Sequence, residues 1–398
     1  MNQKSHTSDR PVVVISLISI LSLSLFLQNQ FSIKQTLFFI IGTGLGYTLL
    51  HAAYGFSFAW REFIRKQKSR GFRSHIWLIA LTSVIFFPLI GQAFSDFTPS
   101  AALAPVGLSV AIGAFLFGIG MQLGSGCGSG TLYTVGGGHV NMLVTLLFFI
   151  VGATIGSVHL GWWLELPDIG KVSSIESIGW LPALLLQLTV LAIIYSFLLR
   201  AERKKNTTVQ HFLQPASDKS VLDQLIFGPW PLWWGIVALC LLNLLVMTLA
   251  GHAWSITFAF GLWGTKVWSA LGGDISGWSY WANGYPANAL NNSVLKDTTS
   301  LIDFGIITGA ILAAALAGTF APEKKITSKL LIVSVVGGLL LGYGARLAFG
   351  CNIGGLLAGI ATGSLHGWLW FIAGFAGAIA GVYIRIWIKL DKPISADT

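Results

Sequence analysis

Charge is what this chain has least of: only 10% of its 398 residues are Asp, Glu, Lys or Arg, against about a quarter in a soluble domain. Too few charged groups of either sign are present to coat a globule, which excludes an ordinary cytosolic enzyme. Cysteine is scarce as well. Three Cys, with no CxxC and no Cys/His spacing, give neither a disulfide framework nor a zinc site. There is no Walker-type GxxxxGK[ST] run and no nucleotide fingerprint, so ATP is not hydrolysed by this chain. No His pair on one helix suits haem. The residues call for no cofactor and no metal.

What is present in quantity is apolar: 54% of the residues, with 47 glycines besides. Stretches near the roughly 20 residues that cross a bilayer as a helix fall at about 11–28, 35–54, 75–94, 103–122, 139–164, 179–199, 230–250, 302–320, 330–347 and 365–388. This pattern predicts an all-α polytopic membrane protein of about ten transmembrane helices, with the lipid bilayer as its surroundings. The first stretch is too long, and lacks a clean small-residue cleavage site, for a removed signal; it reads as a retained helix.

Basic residues resist translocation, so their positions report orientation. Of the 24 Lys and Arg, 19 lie in five clusters: Lys4 and Arg10; Arg61 to Arg73; Arg200 to Lys219; Lys324, Lys325 and Lys329; Arg385, Lys389 and Lys392. Ten crossings with both termini cytoplasmic put every cluster inside, and leave Lys34, Lys171 and Lys296 outside with Asp96, Glu165, Asp168, Glu176, Asp274 and Asp297. The clusters read as topology rather than as lipid-headgroup sites, and nucleic acid is not an expected partner. Lys266 and Arg346 remain, in or against apolar segments, where an unpaired charge costs on the order of 2.5–3.5 kcal/mol by insertion scales. Those two need a reason.

Gly118-Ile-Gly-Met-Gln-Leu-Gly-Ser-Gly-Cys127 and Gly342-Tyr-Gly-Ala-Arg-Leu-Ala-Phe-Gly-Cys351 match at an offset of 224, with five of ten positions identical. Gly130/Gly354 and Leu132/Leu356 extend the match. A weaker pair is Ser57-Phe58-Ala59 with Thr257-Phe258-Ala259. By the charge pattern the helix into Cys127 runs inward and the helix into Cys351 outward, so the halves are inverted, as in many secondary transporters with a midplane site. The expected organisation is a leading helix over 1–34, a first repeat over 35–199, a basic cytoplasmic linker over 200–229 with Asn206 and Pro215, a second repeat over 230–390 and a short tail over 391–398.

In Gly124–Thr131 and Phe349–Gly355 the glycine density predicts a broken helix, since each Gly costs roughly 1 kcal/mol against Ala. Broken backbone at membrane depth must be buried in protein or line a wet cavity. Its freed N–H groups at a following half-helix suit an anion. Cys127 and Cys351 are then expected to face each other across a narrow passage, with Gly126, Gly128 and Gly350 shaping the loops and Ser125, Ser129, Thr131 and Asn352 as further donors. Lys266 and Arg346 would supply charge nearby. A thiol is a weak, polarizable donor, suited to brief contact with a soft sulfur-bearing anion. The alternative is that Cys is a small apolar filler and the glycines allow close packing; for Cys240 that is the reading adopted.

His139 and His366 each follow a glycine-rich loop and begin a helix, as caps or interfacial anchors rather than proton relays. The tryptophans, including Trp162, Trp163, Trp230, Trp233, Trp234, Trp368 and Trp370, read mostly as interface belts. Residues 251–266 are too short for an eleventh crossing and read as re-entrant.

The runs GIGMQLGSGCGSGTLYTVGGG (118–138) and GYGARLAFGCNIGGLLAGIATGSLHGWLWF (342–371), supported by WSITFAFGLWGTK (254–266), resemble the YeeE/YedE sulfur-transport family over about residues 35 to 390. The resemblance implies two inverted halves whose short loops bring cysteines to a central constriction, where S–H groups hydrogen-bond passing thiosulfate; Cys127 and Cys351 carry over. The family often has a further Cys in an early segment ahead of an Arg. Here Gly55-Phe56-Ser57-Phe58-Ala59-Trp60-Arg61 puts Ser57 in that place, a hydroxyl that still donates but cannot do thiol chemistry.

The expected function is a non-enzymatic permease in a bacterial inner membrane for a small sulfur-containing anion, thiosulfate first, with a cytoplasmic sulfur-accepting protein as a further partner. Sulfite, sulfide or a selenium analogue are the other substrates. The alternative from another class is a membrane-embedded thiol redox or sulfur-carrier protein using Cys127 and Cys351 as a pair.

Overall fold

The computed structural model describes residues 8–93, 97–205, 208–211, 220–320 and 327–393. Lys4, Asp96, Asn206, Pro215, Lys219, Lys324 and Lys325, to which the charge pattern gives a side or a linker role, lie outside the described residues, as does the tail from 394.

Asp9 opens the first helix, α1 (Arg10–Gln30), by accepting from the Val12 amide with Pro11 in the first turn. The chain continues through α2 (Ile33–His51), a short amphipathic α3 (Phe56–Lys66), α4 (Arg70–Ile90), α5 (Leu108–Leu123), α6 (Gly128–Gly136), α7 (Val140–Trp163), α8 (Ser174–Ile178) and α9 (Trp180–Lys205). After the linker come α10 (Val221–Phe227), α11 (Leu232–Ala250), α12 (Thr257–Ala270), α13 (Gly284–Asn291), α14 (Thr298–Leu316), α15 (Ser328–Leu347), α16 (Ala358–Ala361) and α17 (Leu365–Trp387). A two-stranded antiparallel ribbon, β1 (Pro105–Gly107) with β2 (Asp168–Lys171), is the one sheet among the described residues, and hydropathy gave no sign of it.

Ten described helices are long and apolar enough to cross a membrane, and they coincide with the ten stretches read from the sequence. The protein is an all-α, multi-pass membrane protein. Its outward faces agree: Val14, Ile15, Ile18, Leu21 and Leu25 of α1, and Leu185, Ile193 and Phe197 of α9, are exposed in a way that water would penalise and lipid tails accept. The 14-residue α12 is not among the ten.

Helix ends differ from the hydropathy reading where a polar group fixes them. The span expected at 302–320 begins four residues earlier, because the Asp297 carboxylate accepts from the Ser300 amide at 2.7 Å and caps α14. The span expected at 75 begins at Arg70, because Arg73 is buried against Glu202 of α9 at 2.9 Å, with Ser69 donating to the same carboxylate at 2.6 Å. A charged turn is thereby buried within the protein.

Packing is organised around small residues. At Gly46 of α2 and Gly309 of α14 each helix lies against the other's backbone so closely that a methyl group at either would overlap Ile306 or Thr43. At the centre α5 packs on α15, α5 packs on α17 and α15 packs on α7, so the two Cys-bearing segments sit in matched surroundings. An aromatic cluster of Trp60, Phe63, Phe72, Phe371 and Phe375 fixes α3 against α4 and α17.

Candidate functional site

Both expected breaks are present. Helix α5 stops at Leu123, Ser125 takes a left-handed backbone (φ 61°), and Cys127 starts α6 as its N-cap. Helix α15 stops at Leu347, Phe349 takes the same left-handed turn (φ 56°), and Cys351 starts a π-helical turn, Asn352–Leu357. Ser125 and Phe349 are themselves related by the offset of 224. The two caps share a backbone: φ −94°, ψ −167° at Cys127 and φ −95°, ψ −162° at Cys351. Gly350 must be glycine, since its φ of 151° is closed to L side chains and a methyl group there would overlap the Gly355 amide.

Each sulfur accepts from a helix-starting amide, Cys127 Sγ from Gly130 N and Cys351 Sγ from Ile353 N, both at 3.4 Å. An S–H whose sulfur already accepts from an oriented amide keeps its proton free to donate, and the amide polarises it. Cys127 Sγ also lies 3.5 Å from Ser129 Oγ. The two breaks touch: a methyl group on Gly128, the residue after Cys127, would sit 2.8 Å from Cys351 Sγ. Cys127, Cys351, Ser129 and Asn352 are all buried, and neither Asn352 Oδ1 nor Nδ2 has a hydrogen-bond partner.

Guanidinium groups gather at the end of α5. Arg61 of α3 donates through Nε to Gln122 Oε1 at 3.0 Å and through Nη2 to the Gln122 carbonyl at 3.3 Å. Arg385 of α17 donates through Nη1 to the same carbonyl at 2.9 Å and to Ser125 Oγ at 3.3 Å. These carbonyls are the orphan acceptors of a helix C-terminus, where cations are favoured. Asp391, just beyond α17, accepts from Arg385 at 2.9 Å and Arg65 at 2.7 Å. The Arg385 hydrogen bond, ahead of the surrounding guanidinium charge, holds the Asp391 carboxyl below its ordinary range against the opposing effect of burial.

The corresponding end of α15 is built differently. Arg346, at the position that the offset pairs with Gln122, is only 8% exposed, and its Nε and Nη2 have no hydrogen-bond partner. Its guanidinium lies 4.3 Å from the Tyr280 ring centroid and 5.6 Å from that of Trp281. It occupies the room left by Gly261 of α12, where a methyl group would overlap Nη2.

A sequence profile described as sulphur transport matches residues 51–380. The chain belongs to this sulphur transport family. Among its relatives, the "Thiosulfate transporter TsuA" of Spirochaeta thermophila is 27% identical over 361 residues, 83% of this chain and 92% of the relative. The protein of the same name from Escherichia coli is 25% identical over 369 residues, covering 89% and 94%. The "Probable transporter YedE" of Escherichia coli is 27% identical over 167 residues, 40% of this chain and 41% of the relative.

In this member of the sulphur transport family the structure brings together Cys127, Cys351, Ser129, Asn352, Gly126, Gly128 and Gly350, with Arg346 one turn away. Ser57 lies at the α5 end, donating to the Met121 carbonyl at 2.8 Å and receiving Arg61 Nη2 at 3.5 Å. Lys266 is elsewhere. Its ammonium donates to the Leu290 and Asn292 carbonyls, each at 2.6 Å, tying α12 to the end of α13. His366 is buried with Nδ1 2.6 Å from Ser364 Oγ, beside the cap of α17.

Trp370 departs from the interface-belt reading. It is fully buried, with Nε1 donating to the Gly350 carbonyl at 3.1 Å, so it pins the second break from behind. Arg61 and Arg385, which the charge pattern reads as topology, lie at this site, and Gln122 and Asp303 carry no role in the sequence pattern. Gln122 was visible as the offset partner of Arg346. Asp303 of α14 is fully buried with neither carboxylate oxygen hydrogen-bonded, and a lone acid inside LIDFGIITGA was its one signal. Among the described residues no three His, Cys, Asp or Glu side chains are grouped to hold a metal ion.

Proposed function

We propose that this chain is a permease, not an enzyme, that passes a small sulfur-containing anion, thiosulfate first, between the thiols of Cys127 and Cys351. The observation that carries this reading is the pairing of two helix breaks with one cap geometry, each presenting a sulfur fed by a helix-starting amide and meeting across Gly128. The names of the two full-length relatives support the substrate. Two weak donors on adjacent half-helices can hand an anion across without trapping it, because a solute must leave as readily as it arrives.

The same reading takes 35–199 and 230–390 as inverted repeats about these breaks, with 1–34 leading, 200–229 linking them in the cytoplasm and 391–398 trailing. The matched packing of α5 on α17 and of α15 on α7 supports it. The basic clusters favour a bacterial inner membrane with both termini cytoplasmic, where a sulfur-accepting protein would receive the anion.

Purified protein reconstituted in vesicles tests the reading: thiosulfate should enter faster than sulfate, sulfite or selenite, and faster than into empty vesicles. Equal rates for all four and for empty vesicles contradict it.

A further inference from the structure

Arg346 raises a question that the passage between the thiols does not answer. A guanidinium buried at membrane depth is costly unless paired. This one has two aromatic neighbours and two unused donors, Nε and Nη2. It borders a cavity of about 180 Å³ whose other walls carry the hydroxyl-bearing side chains of Ser255, Thr257 and Tyr280. Among the described residues no carboxylate lines that cavity. Gly350 lines it too, and the next residue is Cys351.

The other break offers a comparison within the same molecule. There α3 supplies Arg61, and Gln122 of α5 accepts from it. Here the matching positions are exchanged: α12 has Gly261, and α15 carries the cation at Arg346 with no acceptor facing it. One guanidinium is satisfied by protein; the other lines a cavity beside the Cys351 loop and has two buried donors with no protein acceptor.

We propose that this cavity is a capture site for a small tetrahedral oxyanion. Arg346 holds the oxygens through the edge of its guanidinium that lines the cavity, Ser255 and Thr257 donate from the lining, and the terminal sulfur of thiosulfate is left toward Cys351. A planar fork of fixed donors suits two oxygens of one anion better than a point charge does. The fixed cation makes the site select an oxyanion of sulfur over neutral hydrogen sulfide. The proposal rests on the permease reading and adds to it the place where the anion first binds.

The test measures thiosulfate uptake against concentration in vesicles containing wild-type protein, Arg346→Gln and Arg346→Lys, beside equilibrium binding of labelled thiosulfate to purified Cys351→Ala. Arg346→Gln should raise KM roughly tenfold or more, the scale of a lost charge-assisted hydrogen bond, with maximal rate changed far less; Arg346→Lys should fall between. Cys351→Ala should still bind thiosulfate while failing to pass it, and adding Arg346→Gln should abolish that binding. Should Arg346→Gln not fold, Ser255→Ala with Thr257→Val should still raise KM. An unchanged KM in the folded variants, with Cys351→Ala inactive, overturns the capture site alone. Normal uptake by Cys351→Ala overturns the permease reading beneath it.

Discussion

Gly128 lies directly against the sulfur of Cys351, so close that a methyl group would stand 2.8 Å from Sγ and 3.3 Å from Cβ. The residue that follows one thiol is the floor on which the other rests. That contact makes the two breaks a single unit, and it explains why glycine is needed at this position on steric grounds.

Gly128→Ala should therefore lower thiosulfate uptake with both thiols intact. Overpacking of this kind costs about 1–3 kcal/mol, and 1.4 kcal/mol is roughly tenfold in rate. Uptake per molecule of inserted protein measures it, with Gly277→Ala as the control, because a methyl group there meets nothing within 4 Å. Equal uptake by the two variants contradicts the contact's role.

The Asp391 cluster gives a pH dependence. Its carboxyl is held below the ordinary range by Arg385 first, so its contribution to stability is present above the ordinary carboxylate pKa and is lost as pH falls through the lowered value. The melting temperature of wild type in detergent should exceed that of Asp391→Asn at neutral pH, and the difference should close on acidification. A gap that persists at low pH contradicts the assignment.

Glu202 pairs with Arg73 where both side chains are 1% exposed. Removing one member of a buried pair leaves an uncompensated charge, at a cost of about 3–5 kcal/mol. Glu202→Gln should lower thermal stability strongly while leaving KM for thiosulfate near the wild-type value, since the pair joins α4 to α9 away from the breaks. A changed KM with unchanged stability contradicts this.

Much of the architecture was legible because the bilayer sets a length that sequence must satisfy, and ten apolar stretches met it. Their ends were less legible: Asp297 and the Arg73–Glu202 pair set helix starts through contacts that hydropathy averages away. The paired Gly-Cys breaks could be read because rare residues recur at one offset. Lys266 could not be read, since its partners are backbone carbonyls 24 and 26 residues further on, and a carbonyl leaves no mark in a sequence. Trp370 looked like an interface residue because it lies in the first turns of α17; only the fold turns it inward to Gly350.

In the proposed passage Cys127 and Cys351 act together on the anion, while Cys240, buried between α11 and α4 near Thr82, does not. The decisive measurement is uptake of labelled thiosulfate by Cys127→Ala, Cys351→Ala and Cys240→Ala, each normalised to inserted protein. Uptake should fall roughly tenfold or more for the first two, the size of a lost hydrogen bond to a charged solute, and stay near wild type for the third. Wild-type uptake by Cys127→Ala or Cys351→Ala would contradict it.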